Sequence, residues 1–292
     1  MLKSLIITAF LACASIHSAY AQSVFGVYWN GMEEIFASLD PETGVLTDIS
    51  VLPGVTSIQN RGIFDSKSNR YIILTNLGIT VVNALDGSII STIPNDINFL
   101  GLVFGPSNNV FGVYFDGAVE LFTELDLQTG TFNDIAVLPG VQSIQNIASY
   151  DRVQNRYFII TNLGILTIDA SSGSILQSID LDENVSGLEF DCENSLYGVY
   201  FEGVEFFTEL DLATESLNDI AVLPGVQRIQ FTTAYDALIN RYYINTNLGF
   251  TVIDPSSGAI VNSFMLDRDF SAIAAENMCS SMMCGAFPWD GN

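Results

Sequence analysis

The chain has 292 residues, of which 33 are acidic and 9 are basic, so its formal net charge at pH 7 is −24. A field of this sign disfavours nucleic acids and anionic membrane surfaces as partners and favours cations and basic proteins. The other interpretation is that the acidic surface only keeps the protein soluble. The single histidine, His17, lies close to the start of the chain.

Residues 1–21 have the pattern of a secretory signal peptide. They contain one lysine, an apolar run of about a dozen residues and the ending "AYA", which predicts cleavage before Gln22. A lipid anchor at Cys13, within "FLAC", is the alternative interpretation of this segment. No later segment has the run of about 18 apolar residues that a membrane span needs. We therefore expect a secreted protein, extracellular or, in a bacterium, periplasmic, with no membrane span.

Removal of residues 1–21 would remove the only histidine. The mature chain then has no imidazole for a Ser-His-Asp triad, a Cys-His pair, a metal site or general-base catalysis. Any catalysis would have to use carboxylates, a metal held by oxygen ligands, or tyrosine.

Three repeats of about 86 residues fill the rest of the chain. "FGVYWNG" at 25 returns as "FGVYFDG" and "YGVYFEG"; "VLPGVTSIQ" at 51 returns as "VLPGVQSIQ" and "VLPGVQRIQ". "NRYIILTNLG" at 69 returns as "NRYFIITNLG" and "NRYYINTNLG". Each repeat divides into two halves of about 42 residues, and each half has an apolar strand, a turn of the Asp-x-x-Ser/Thr-Gly type and another strand.

Six such halves with four short strands each predict an all-β, six-bladed β-propeller over residues 22–278, with a tail at 279–292. In one blade the strands are expected at 98–105, from 110, within "ELFTELDL" and within "FNDIAVL". The first blade lacks its inner strand, and residues 270–277 read as an inner strand without a following blade. We expect this C-terminal strand to complete the first blade and close the ring, which removes exposed sheet edges.

The Asp-x-x-Ser/Thr-Gly hairpins at this spacing resemble the extracytoplasmic propellers of the YVTN and quinoprotein-like repeat type. The resemblance covers residues 24–277 and implies the propeller fold. The docking tryptophans of quinoprotein repeats are missing, since only Trp29 and Trp289 occur. A quinone cofactor is therefore not implied, and no catalytic residue carries across.

Three recurrent motifs are interpreted as scaffolding. "TNLG" links the second and third strands of alternate blades, where Asn and Gly make a tight turn, and "VLPGV" connects blades. On the opposite face, an Asp and an Arg five residues apart are expected to pair across a hairpin. These pairs are Asp65/Arg70, Asp151/Arg156 and Asp236/Arg241.

Acidic and amide residues recur in the loops that lead from the "TNLG" blades into the inner strands of the three alternate blades, which carry the "FGVY" type of motif. A ring of oxygen ligands at one mouth of the central channel predicts a site for Ca²⁺ or another hard cation. Its ligands would be Asp96, Asn98, Asp182, Asn184, Asp267 and Asp269, with Gln59, Gln145 and Gln230 at the matching position of the remaining blades. A solvated polar rim is the alternative. Asn184 also begins the glycosylation sequon "NVS", and a glycan there would block the mouth.

Cysteines predict one disulfide in an exported chain. Cys279 and Cys284 flank the hairpin "CSSMMC" and are expected to bond, which leaves Cys192 unpaired. Cys192 and Cys279 occupy equivalent repeat positions, a third of a turn apart, and are not expected to reach each other.

Two functions remain open from sequence. The first is a non-enzymatic extracellular binding or matrix protein, calcium-associated, whose partner is an extracellular protein, a carbohydrate or a mineral or cation. The second is a metal-dependent hydrolase or lactonase like the gluconolactonase-type propellers. The second needs an asymmetric ligand cluster, whereas the predicted rims repeat threefold, which favours the first.

Overall fold

The computed structural model describes residues 23–276, apart from 96, 106–108 and 182. Within these ranges the chain forms 24 strands and no helix. The strands make six four-stranded antiparallel sheets. The chain is therefore an all-β, six-bladed propeller, as the sequence predicts.

Blades 1, 3 and 5, here called the odd blades, carry the "FGVY" motif on their second strand. Blade 1 contains β24 (Ser271–Ala274), β1 (Val24–Trp29), β2 (Glu34–Leu39) and β3 (Leu46–Val51). Blade 3 contains β8 (Leu100–Phe104), β9 (Val110–Phe115), β10 (Glu120–Asp126) and β11 (Thr131–Val137). Blade 5 contains β16 (Ser186–Phe190), β17 (Leu196–Phe201), β18 (Glu205–Asp211) and β19 (Ser216–Val222).

Blades 2, 4 and 6, the even blades, carry "NRY" and "TNLG". Blade 2 contains β4 (Ile58–Asp65), β5 (Arg70–Thr75), β6 (Gly78–Asn83) and β7 (Ile89–Ile93). Blade 4 contains β12 (Ile144–Asp151), β13 (Arg156–Thr161), β14 (Gly164–Asp169) and β15 (Ile175–Ile179). Blade 6 contains β20 (Ile229–Asp236), β21 (Arg241–Thr246), β22 (Gly249–Ile253) and β23 (Ile260–Phe264).

The inner strand of blade 1 is β24, from the far end of the chain. It pairs antiparallel with β1, with Phe25 opposite Ala274. One C-terminal strand and three N-terminal strands thus share a sheet, and the two ends of the described chain hold each other in place.

Every junction between neighbouring blades is filled by apolar side chains. Each of the six hydrophobic clusters draws its residues from two adjacent blades. Burial on both faces of a sheet requires long apolar runs and not alternation, as in β5, where four consecutive residues are buried. This packing accounts for the high apolar content of an acidic chain.

A buried tyrosine from each even blade bonds to the preceding odd blade. These are the tyrosines of "NRY", and all three are fully buried. Each hydroxyl donates to a carbonyl in an inner strand, at a residue with positive φ inside a local register shift. The bonds are Tyr71 to Ala272 (2.6 Å), Tyr157 to Gly101 (2.8 Å) and Tyr242 to Gly187 (2.5 Å). The register shift turns a backbone carbonyl toward the neighbouring blade, where the tyrosine supplies a donor.

The "TNLG" asparagine also joins an even blade to the connection that precedes it. The side-chain oxygen of Asn76 accepts from the amide of Thr56 at 2.7 Å, and its nitrogen donates to the carbonyl of Gly54 at 3.1 Å. Asn162 and Asn247 make the same bonds in blades 4 and 6. "TNLG" and "VLPGV" are therefore two halves of one structural contact, which confirms that both are scaffolding.

Replacing Tyr157 by Phe should destabilise the fold by about 1–3 kcal/mol, because it leaves a buried carbonyl without its donor. Tyr114→Phe is the matched control, since its hydroxyl bonds the exposed Asp134 at 2.9 Å. The control should lose less than about 1 kcal/mol. Urea unfolding of both variants measures the difference, and equal losses would show that the bond between blades adds nothing special.

Candidate functional site

The antiparallel strand order gives the ring two distinct faces. All connections between blades lie on one, the upper face, together with the second-to-third strand turns. The other hairpins lie on the lower face, including the "NRY" hairpins and the Asp-x-x-Ser/Thr-Gly turns. Candidate surfaces can therefore be assigned to a face from chain direction alone.

The upper face exposes three equivalent aromatic residues at the ends of β1, β9 and β17. Trp29 is 48% exposed, Phe115 is 51% exposed and Phe201 is 60% exposed. On the same face, the last residue of each odd blade's outer strand is an exposed valine. These valines are Val51, Val137 and Val222. We call these three aromatic–valine sets the upper patches; sequence reasoning absorbed them into the "FGVY" strand motif and did not single them out.

A buried glutamate lies directly across the hairpin from each of these aromatic rings. The opposed pairs are Trp29 with Glu34, Phe115 with Glu120 and Phe201 with Glu205. The glutamates are only 6%, 7% and 4% exposed, and burial raises the pKa of each one. In Glu120 and Glu205, one buried carboxylate oxygen has no hydrogen-bond partner among the described residues. A buried carboxylate in this state is energetically costly and accepts a donor strongly.

The structure tests the predicted cation ligands only in part. Asp96 and Asp182 fall outside the described residues. Asn98, Asn184 and Asp269 are exposed where the chain enters the inner strands of the odd blades. In the described part of the chain, no three His, Cys, Asp or Glu residues are grouped so as to hold a metal ion. The calcium ring therefore stays a prediction.

Two shallow depressions bring predicted residues together in pairs. Gln145 and Asn184 line one, between blades 4 and 5, and Gln230 and Asp269 line its equivalent between blades 6 and 1. In the second depression Arg268 lies 3.7 Å from Asp267. The third repeat thus places a cation beside a predicted ligand.

The channel interior contains a buried ion pair that sequence reasoning missed. The guanidinium of Arg61 donates to the carbonyl of Leu102 at 3.0 Å and lies 3.6 Å from a carboxylate oxygen of Glu189. The same oxygen accepts from the hydroxyl of Thr233 at 3.0 Å. Burial raises the pKa of Glu189 to about 7. Arg61, Glu189 and Thr233 line a small cavity of about 40 Å³.

This pair breaks the threefold repeat, and that departure is the signal that could have revealed it. Arg61 and Glu189 stand where the other repeats have aliphatic, small or hydroxyl residues. The equivalents of Arg61 are Ile147 and Thr232, and those of Glu189 are Val103 and Ala274. The rims of the channel repeat, but its interior does not.

Two of the three predicted Asp–Arg pairs are confirmed on the lower face. Arg70 lies 2.7 Å from Asp65 and Arg156 lies 2.9 Å from Asp151. Both aspartates also accept from backbone amides of their hairpin. Their role is structural, as expected.

The third predicted pair, Asp236 with Arg241, is wrong. The hydroxyl of Tyr243 lies 3.5 Å from Asp236, and Arg241 donates to a backbone carbonyl instead. Tyr243 replaces Ile72 and Phe158 of the other repeats, so only here does a hydroxyl compete for the carboxylate. Burial raises the pKa of Asp236 to about 6, and the nearby Glu276 adds to this rise.

Cys192 is disulfide-bonded, so the expectation that it is unpaired is wrong. Its sulfur lies 3.9 Å from the carbonyl of Ala237, whose amide donates to the carbonyl of Glu276 at 2.7 Å. The segment after β24 therefore reaches the hairpin beside Cys192, which repeat alignment did not foresee. Cys279 and Cys284 lie outside the described residues. Of the four cysteines in the chain, only Cys13 could bond Cys192 if Cys279 and Cys284 bond each other as predicted.

Known structures share this architecture. TolB from Acinetobacter baumannii matches with a TM-score of 0.68 at 10% identity, over 87% of this chain and 66% of TolB. A chain of the nidogen/laminin complex matches with a TM-score of 0.67 at 15% identity, over 88% of this chain and 100% of that chain. A protein of unknown function from Bacteroides caccae matches with a TM-score of 0.61 at 14% identity, over 88% of this chain and 100% of that protein.

The fold is that of a β-propeller. At these identities the likeness establishes the fold alone, which confirms the resemblance to extracytoplasmic propellers at the level of the fold. Neither protein-family models nor curated proteins match the sequence. No described segment forms a helix that is long and apolar enough to cross a membrane.

Stability should fall as the pH rises from about 4 to about 7. Glu189 and Asp236 have raised pKa values in the folded state, so that state retains protons that the unfolded chain releases above pH ~4. Turn aspartates such as Asp126 and Asp211 have pKa values lowered chiefly by backbone hydrogen bonds, and their contribution is lost below that pH. Calorimetry from pH 3 to pH 8 should give a maximal melting temperature near pH 4–5.

Glu189→Gln is the control for this pH profile. It removes an acidic group whose pKa is raised to about 7 in the folded state. The loss of folding stability between pH ~4.5 and ~7 should therefore be smaller in the variant by on the order of 2–3 kcal/mol. An unchanged profile in the variant, or a wild-type stability that rises across this range, would contradict the assignment.

Proposed function

We propose that this protein is a non-enzymatic extracellular binding protein whose upper face docks a protein partner. The observation that carries the proposal is the threefold recurrence of exposed aromatic–valine sets, the upper patches. Aromatic residues are the side chains most enriched at binding hot spots. A fold that buries its apolar residues at every blade junction has no packing reason to expose three equivalent rings.

The partner we propose is a protein with a basic, apolar surface. The chain carries a net charge of −24, so a basic partner is attracted before contact and the apolar sets hold it afterwards. The nidogen/laminin structure supports the general idea, because a propeller of similar fold is present in a protein complex there. The upper face also fits such a role because the scaffolding bonds keep its loops in place.

The proposal predicts a face-specific contact that photo-crosslinking can measure. A photoreactive phenylalanine analogue at Phe115 should yield a discrete adduct in the native secreted fraction, and excess unlabelled protein should compete it away. The same analogue at Val153, exposed on the lower face, is the matched control and should give no competed adduct.

Replacing Trp29 and Phe201 by Ser in the protein labelled at position 115 should reduce the yield of the adduct at least tenfold, because the two substituted patches no longer contribute to docking. The variant's melting temperature should stay within a few degrees, since both side chains are exposed. Equal labelling from positions 115 and 153, or an adduct whose yield is unchanged by the two substitutions, would contradict the proposal.

We further propose that calcium binds the ring of Asp96, Asp182 and Asp267 with Asn98, Asn184 and Asp269. Carboxylates held together repel one another, so Ca²⁺ should raise the melting temperature, by about 2.7 kcal/mol in stability at a hundredfold excess over Kd. The comparison is wild type against the triple Asp→Asn variant of the three ring aspartates, both in about 0.15 M NaCl. If Ca²⁺ shifts both proteins equally, the ring is a solvated rim.

A further inference from the structure

The glutamates opposite the aromatic rings of the upper patches are placed so that they could accept a hydrogen bond from a ligand. Each is opposed across a hairpin to its exposed ring, so the two side chains point to the same side of the sheet with Cβ atoms about 5 Å apart. Glu120 and Glu205 each keep a buried oxygen without a hydrogen-bond partner among the described residues. No ion pair among the described residues involves Glu34, Glu120 or Glu205.

A structural role alone explains this arrangement poorly. Each glutamate is buried, and its backbone carbonyl accepts from the amide of a buried leucine, as Glu34 does from Leu52, so an apolar side chain would suit the position without the cost of burying a carboxyl group. The same acidic residue nevertheless occurs in all three repeats, each time beside an exposed aromatic ring. Ring and carboxylate attract the same kind of ligand, a cation carried on an apolar stem.

We propose that each upper patch binds a lysine or arginine side chain of the partner. The ammonium or guanidinium group donates to the buried glutamate while its methylene stem and charge lie against the aromatic ring. This inference rests on the proposed function and names its chemistry: the partner presents basic side chains to Glu34, Glu120 and Glu205. Three equivalent sites on one rigid ring would let weak single contacts add to a strong one.

The local test uses the emission of Trp29, the ring opposite Glu34. In a Trp289→Phe background, Trp29 is the only tryptophan. Titration with a trilysine peptide in about 0.15 M NaCl should shift its emission saturably. A trilysine peptide acetylated on every side chain should give no shift, because it has no cation to donate.

Two single substitutions separate the site from general charge attraction. Glu34→Gln should weaken trilysine binding about tenfold or more, since the loss of a charge-assisted bond to a buried carboxylate is worth at least that factor. Glu42→Gln makes the same charge change on the exposed lower face and should leave binding unchanged. Equal effects of the two substitutions would overturn the proposal, as would a Glu34→Gln variant that alters melting temperature but not binding.

A further variant keeps the test decisive if Glu34→Gln does not fold. Trp29→Phe at the same hairpin, followed by calorimetry with trilysine, should retain all of the sites, whereas Trp29→Ser should lose one of the three equivalent sites and so lower the stoichiometry. An unchanged stoichiometry in Trp29→Ser would also overturn the proposal. Crosslinking from Phe115 needs no basic probe, so a captured partner without any trilysine response refutes this inference and leaves the proposed function standing.

Discussion

The fold depends on one contact, the hydrogen bond that a buried tyrosine hydroxyl makes to a carbonyl of the preceding blade. It occurs at all three odd-to-even junctions, and there the "TNLG" asparagine adds a second bond at the upper face. The even-to-odd junctions are packed by apolar clusters, and the part of the chain that the structure describes shows no polar bond there that is repeated in every copy. The structural unit is therefore a pair of blades, which explains why the sequence repeats every two blades and not every one.

Much of the architecture is predictable from sequence because repetition is itself the signal. Blade number, strand order in blade 3 and the turns of "TNLG" follow from aligning the three copies. The contacts that do not repeat are hidden by the same alignment: Arg61 and Glu189 face each other across the channel, and Tyr243 displaces Arg241 from its aspartate. Such contacts depend on which strands meet in space, and spacing along the chain does not give that.

The upper patches were missed for a different physical reason. Aromatic residues in an apolar run are expected to be buried, and a glutamate at the start of the next strand is expected to face solvent. The structure reverses both: the ring is exposed, whereas the glutamate is buried and its backbone carbonyl accepts from the amide of the leucine that follows the outer strand. The proposed binding chemistry rests on this cross-strand pair, in which the aromatic ring is exposed and the glutamate is buried.

Pairing of β24 with β1 also sets where the two ends of the described chain lie relative to the exposed aromatic rings. β1 begins and β24 ends at the lower face, side by side, with Phe25 opposite Ala274. Trp29, Phe115 and Phe201 lie on the opposite face. The seam that closes the ring and the surface offered to a partner are therefore separated by the full height of the blades.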